Sequence, residues 1–183
     1  MERLSGKLAD KLVLCEVVEE CDRDFYQYAI ESLLVYGVNA VVMTTLALGL
    51  GIVSESCVFL AFFYPLRTNC GGFHLKKWYT CCAASCILVC LVALGADFIT
   101  IGWMVLPFSI AFCELCVWKM APCVHKNHPL EPEEHGRCRS KARRYSLVVW
   151  GIVIALKIMG LEKWVMLGWS SQMLNAMLMA GTF

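Results

Sequence analysis

The chain reads as an all-α, polytopic membrane bundle, on three observations. Apolar residues make up 59% of its 183 residues and charged residues only 17%. Mean hydropathy is +0.63, outside the range of ordinary soluble domains. The apolar residues gather into runs approaching the ~20 that a helix needs to cross the hydrocarbon layer. About four to six membrane segments fit this length, which leaves no room for a second globular domain, so residues 1–183 read as a single membrane domain.

The start, residues 1–24, carries both charge signs and lacks the basic region, apolar stretch and small-residue cleavage site of a secretory leader, so it is expected to be inserted unprocessed. Leu4, Leu8 and Leu12 recur every four residues, which predicts an amphipathic helix over 2–20, lying on the membrane or packed under the bundle. Residues 28–53 form the first spanning run, interrupted by Glu31 and Asn39. Ser54-Glu55-Ser56 reads as a turn. Cys57–Leu66 is apolar but short, roughly 15 Å as a helix. It either continues through Arg67, Thr68 and Asn69 as a polar-ended span or turns back as a re-entrant segment. Spans are expected at 79–96 and 98–118, separated by Asp97, with Pro107 kinking the second. The last two, 145–161 and 164–180, are broken by Gly160-Leu161-Glu162-Lys163.

Cations set the expected orientation. Seven lysines and arginines lie in 119–144 and four between the start and Arg23, whereas 54–56 and Asp97 contribute none. By the positive-inside rule the N-terminus and the basic loop 119–144 are cytoplasmic, together with the segment carrying Arg67, Lys76 and Lys77.

That segment holds the chemistry. His74 and Cys81 lie seven residues apart behind Gly71-Gly72, where a polar stretch meets an apolar run. A free thiol, with a pKa near ~8.5, is little ionised at neutral pH, and an imidazole can take its proton and return it to a leaving group. Glycines permit the tight turns that such a pair needs. On a straight helix the two positions would be about 10.5 Å apart along the axis, well beyond the ~3 Å of proton transfer. The pair therefore works best if His74 precedes a helix start and folds back.

The pattern Arg67-x3-Gly71-Gly72-x-His74-x6-Cys81, two apolar spans, and a loop beginning Ala121-Pro122 with Asn127-x-Pro129-Leu130 resembles the AgrB family (accessory gene regulator B), the membrane peptidases of Gram-positive quorum sensing. The resemblance extends over nearly the whole chain in span order and basic-loop position. It implies a membrane cysteine endopeptidase that removes the C-terminal tail of an AgrD-type propeptide through an acyl-enzyme thioester and promotes cyclisation to a thiolactone or lactone. By position it implies His74 and Cys81 as the catalytic pair, with Arg67, Gly71 and Gly72 as active-site support. The expected partners are the propeptide, the lipid bilayer and a second copy in a homo-oligomeric dimer, with no nucleic acid and no cofactor. The sequence departs from the pattern in its further thiols, Cys70, Cys82, Cys86 and Cys90, with Cys82 beside the candidate nucleophile.

Other readings attach to other residues. Cys82, Cys86 and Cys90 repeat every four positions, a stripe of the kind that packs membrane helices. Glu31 and Glu114 are candidate orienters of the histidine, or carboxylates paired internally or near span ends. Cys113-x-x-Cys116 would suit a membrane thiol-disulfide oxidoreductase, although its position beside a basic, cytoplasmic loop argues for reduced thiols. Cys123, His125, His128, His135 and Cys138 offer zinc-type ligands, but their spacing matches no compact zinc motif, and no metal is expected.

Overall fold

The computed structural model describes residues 2–15, 17–71, 77–122 and 132–181. Among them the chain is all-helical, with seven α-helices, one short 3₁₀ helix and no strand. The helices fall into two compact units, residues 1–49 and 50–183. Two of them, Glu20–Leu50 (counted with the 3₁₀ turn) and Trp78–Gly95, are long and apolar enough to cross a membrane.

The first unit comprises α1 (Glu2–Leu14), the 3₁₀ turn Glu20–Asp22 and most of α2 (Arg23–Leu50). The expected helix over 2–20 thus stops at Leu14. In α1 the buried positions are the small residues Ser5 and Ala9, while Leu4 and Leu8 stay exposed. Gly6 stands beside Gln27 of α2, and Arg23 bridges back to Asp10 at 2.7 Å. Small residues let α1 approach α2, and Leu4 and Leu8 stay outside that contact.

The second unit contains α3 (Val53–Cys70), α4 (Trp78–Gly95), α5 (Val105–Met120), α6 (Pro132–Ile158) and α7 (Glu162–Ala180). Its centre is α7, which packs against α3, α4, α5 and α6 and buries Val165, Leu167, Gly168, Ser171, Gln172, Asn175 and Met179. Gly168 is the tightest point. A Cβ there would stand 2.5 Å from a Val153 methyl and 3.5 Å from the Phe62 ring, so a glycine lets α7 sit against α6 and α3 at backbone distance. Polar side chains tie the same helices. Asn175 Nδ2 donates to the carbonyl of Phe63 at 3.3 Å, and Trp169 Nε1 donates to Ser109 Oγ at 2.9 Å.

Three expectations change. Ser54-Glu55-Ser56 is the first turn of α3 and no turn; the helical run breaks at Gly51, whose φ of 68° suits glycine. Of the two paths open to Cys57–Leu66, the continuous one is taken. The segment lies inside an 18-residue helix, about 27 Å long, that carries Pro65 and runs on through Arg67, Thr68 and Asn69. The run 98–118 becomes helical only at Val105, and Pro107 sits in the first turn, where the missing N–H has no intrahelical acceptor to lose and no kink is required. The basic stretch 119–144 is likewise only partly a loop, since α6 starts at Pro132 and Arg137–Arg144 ride on it.

Side-chain contacts orient this unit. At one end Lys163, from the start of α7, bridges Glu55 of α3 at 2.5 Å and Asp97, just after α4, at 3.1 Å. Lys157 pairs with Glu162 at 2.5 Å across the α6–α7 turn. The C-terminus of α3, the N-terminus of α4 and the C-terminus of α5 therefore share the opposite end, where the candidate chemistry lies.

Candidate active site

At the end of α3, Arg67 extends along its own helix and its guanidinium donates to the carbonyl of Gly71. Gly71 itself, at φ 67°, closes the helix through an N–H bond to the Arg67 carbonyl at 3.0 Å. Residue 67 thus holds residue 71 from both sides, backbone to backbone and side chain to backbone, which fixes the direction in which the chain leaves α3. The φ explains why a glycine occupies position 71, because an L side chain is strained there. One turn earlier, Thr68 Oγ1 and Asn69 Nδ2 both donate to the carbonyl of Pro65, at 3.1 and 2.7 Å. Cys70 is fully buried beside this turn.

At the start of α4, Lys77 is the N-cap, with extended backbone angles of −106° and 127° and no side-chain cap. Its carbonyl accepts the Cys81 amide at 3.1 Å and the Thr80 hydroxyl at 2.7 Å. Cys81 thus falls in the opening turn of α4, half-buried. The N–H groups of Trp78, Tyr79 and Thr80 in the same turn lack intrahelical acceptors. Because Lys77 is extended, no unbroken helix joins position 74 to position 81. His74 and Gly72 lie outside the described residues.

Cys82 is also half-buried. Its thiol interacts with that of Cys86 one turn further along α4. The packed face of this helix is Cys86, Val89 and Ala93, so the cysteine stripe serves packing through its middle member, with Cys82 and Cys90 at its margins.

The same end of the unit carries a polar network that sequence reasoning did not assemble. The Ser146 hydroxyl of α6 donates to Glu114 Oε1 of α5 at 2.6 Å, and Trp118 Nε1 donates to the other carboxylate oxygen at 3.0 Å. Ser146 Oγ also lies 3.2 Å from the Gln172 amide of α7. One hydroxyl has one proton, and Glu114 takes it. The Gln172 amide then fits best with its NH₂ toward Ser146, which also gives a partner to a buried nitrogen otherwise unbonded. Arg139 and Arg143 donate to the Trp118 carbonyl, each at 3.1 Å, satisfying an orphan carbonyl at the α5 C-terminus. Arg143 stacks over the Trp118 ring at 4.1 Å, a contact worth about 0.5–2 kcal/mol. Glu114 is therefore paired internally. Glu31 belongs to α2 in the first unit, beside Asp24, Gln27 and Tyr28. The available signal was spacing: Glu114 and Trp118, like Arg139 and Arg143, stand four apart.

Cys113 and Cys116 sit well inside α5, both buried, away from the helix N-terminus where redox C-x-x-C thiols are activated. Of the zinc-type ligands, Cys123, His125 and His128 lie outside the described residues, while His135 and Cys138 ride on α6.

The family model for accessory gene regulator B, AgrB, matches residues 1–180. No curated protein and no solved structure matches the chain.

Proposed function

The chain belongs to the AgrB family, membrane proteins that process the precursors of quorum-sensing peptides, and on that premise we propose that it is a cysteine endopeptidase and cyclase acting on an AgrD-type propeptide. The observation that carries the reading is the break before α4. Cys81 stands in the first turn of a helix whose N-cap, Lys77, is extended, which frees His74 from the axial separation that a continuous helix would impose. His74 takes the thiol proton as Cys81 Sγ attacks a propeptide carbonyl. The tetrahedral oxyanion takes its hydrogen bonds from the N–H groups of Trp78, Tyr79 and Thr80, which have no acceptor within α4. Collapse expels the tail amine, which leaves with the proton from His74, and a thioester remains on Cys81. An internal cysteine or serine of the propeptide then attacks that thioester, closes the ring and restores the thiol.

Arg67 and Gly71 support the site by fixing the exit from α3, and Gly72 is assigned to active-site support by its position in the motif. The chain is a multi-pass membrane protein, with lipid and a second copy of the chain as its further partners. The N-terminus, Cys81 and the basic stretch 119–144 face the cytoplasm, where a propeptide meets the inner leaflet.

Two experiments test this. Liposomes containing only this chain and a cognate AgrD-type propeptide should release the free tail without nucleotide, and absence of release under conditions where the chain is folded would overturn the peptidase reading. For orientation, a maleimide that cannot cross membranes should leave Cys138 unmodified in intact cells and modify it after permeabilisation. Labelling from outside would reverse the assigned topology.

A further inference from the structure

We propose that Cys113, Cys116 and Met173 form a binding site for a soft monovalent metal ion, copper(I), held between α5 and α7. The Cys113 thiol donates to the Met173 thioether with the sulfurs 3.4 Å apart, a direct sulfur–sulfur contact between two helices. Cys116 lies one turn on along α5, on the same buried face, as positions three apart on a helix do. Cys113 is fully buried and Cys116 keeps a 7% opening one turn from the end of α5, an entry route from the Trp118 end of the unit. Both cysteines are free thiols. Of the two residues between them, Leu115 is apolar and Glu114 is committed to Ser146 and Trp118, so the donors that this stretch of α5 offers are sulfur.

Donor chemistry selects the ion. Thiolate and thioether sulfur is the set that copper(I) prefers, whereas magnesium, calcium and manganese take oxygen. Zinc wants four ligands from thiolate, imidazole or carboxylate, and two thiols with a thioether fall short of that. Each cysteine that bonds the ion gives its proton to water, the Met173 thioether adds a lone pair, and no electron changes hands. A bound ion would clamp α5 to α7, the central helix of its unit.

The test uses the full chain in lipid nanodiscs under anaerobic reduction, with copper(I) titrated against bicinchoninate. With twelve cysteines in the chain, the diagnostic quantity is the tightest equivalent. Met173→Leu, which conserves volume, should weaken that equivalent by roughly tenfold or more, and Cys113→Ser and Cys116→Ser should do the same or worse. Cys90→Ser should leave it unchanged, and X-ray absorption of the one-equivalent sample should show sulfur neighbours only. Wild-type affinity in Met173→Leu, or nitrogen or oxygen in the coordination sphere, would overturn the site. None of these readouts depends on peptidase activity.

Discussion

Cys81→Ala should abolish release of the propeptide tail, with a loss of at least ~10³-fold, because removing the nucleophile leaves only binding and oxyanion stabilisation. Cys82→Ala should retain release near the wild-type rate. The two thiols are adjacent in sequence but differ in setting, since Cys81 takes its amide bond from the N-cap Lys77 while Cys82 interacts with Cys86. Covalent trapping distinguishes them directly. Making a strained thioester from an amide is uphill, so cyclisation without an added energy source needs an enzyme thioester that holds the acyl group until the internal nucleophile arrives. Exchange between thioesters is nearly balanced, and proximity supplies much of its rate. A propeptide whose ring-closing residue is alanine should therefore still lose its tail and accumulate on the protein as a hydroxylamine-sensitive adduct. Mass spectrometry should place the adduct on Cys81. An adduct on Cys82, or full release by Cys81→Ala, would refute the assignment.

Hydropathy made most helices legible and their ends less so. The run 28–53 and the run 79–96 became α2 and α4 within a few residues, because length and apolarity are what a spanning helix needs. Ser54-Glu55-Ser56 misled because its charge is answered by Lys163, far along the chain, a pairing that no local window contains. Phe98–Met104 misled in the opposite sense. Its apolar side chains satisfy a hydropathy scale, yet Phe98 and Met104 are among the most exposed residues and the backbone there is not helical. Hydropathy reports where side chains prefer to be and leaves the backbone path open.

The candidate site divides along the same line. The spacing of Arg67, Gly71, Gly72, His74 and Cys81 was readable because motif chemistry is local in sequence. That Arg67 binds the Gly71 carbonyl was not, since a cation near a span end suits lipid headgroups equally well. The network joining Glu114, Ser146, Trp118 and Gln172 draws on three helices, and only their packing around α7 brings it together. An isolated carboxylate in an apolar run reads as a site until its donors are seen.

His74→Ala should be nearly as damaging as loss of the thiol, lowering the rate of tail release by about 10²–10⁴-fold, the usual range for a general acid–base. Abundance and insertion should stay near wild type, because the helix that carries Cys81 starts at Trp78 and α4 packs through Cys86, Val89 and Ala93. The control substitutions are His125→Ala and His128→Ala. If the basic stretch were a zinc centre, those two would remove the metal and the activity together, and His74→Ala would be mild. On the proposed mechanism the ranking is the reverse, because only His74 belongs to the segment that leads into Cys81. Adduct formation sharpens the comparison. A base is needed both to generate the thiolate and to protonate the leaving amine, so His74→Ala should fail to accumulate the Cys81 adduct even with the ring-closing residue removed. Accumulation at the wild-type rate would mean that another group takes the thiol proton, and His74 would then have no part in the first step.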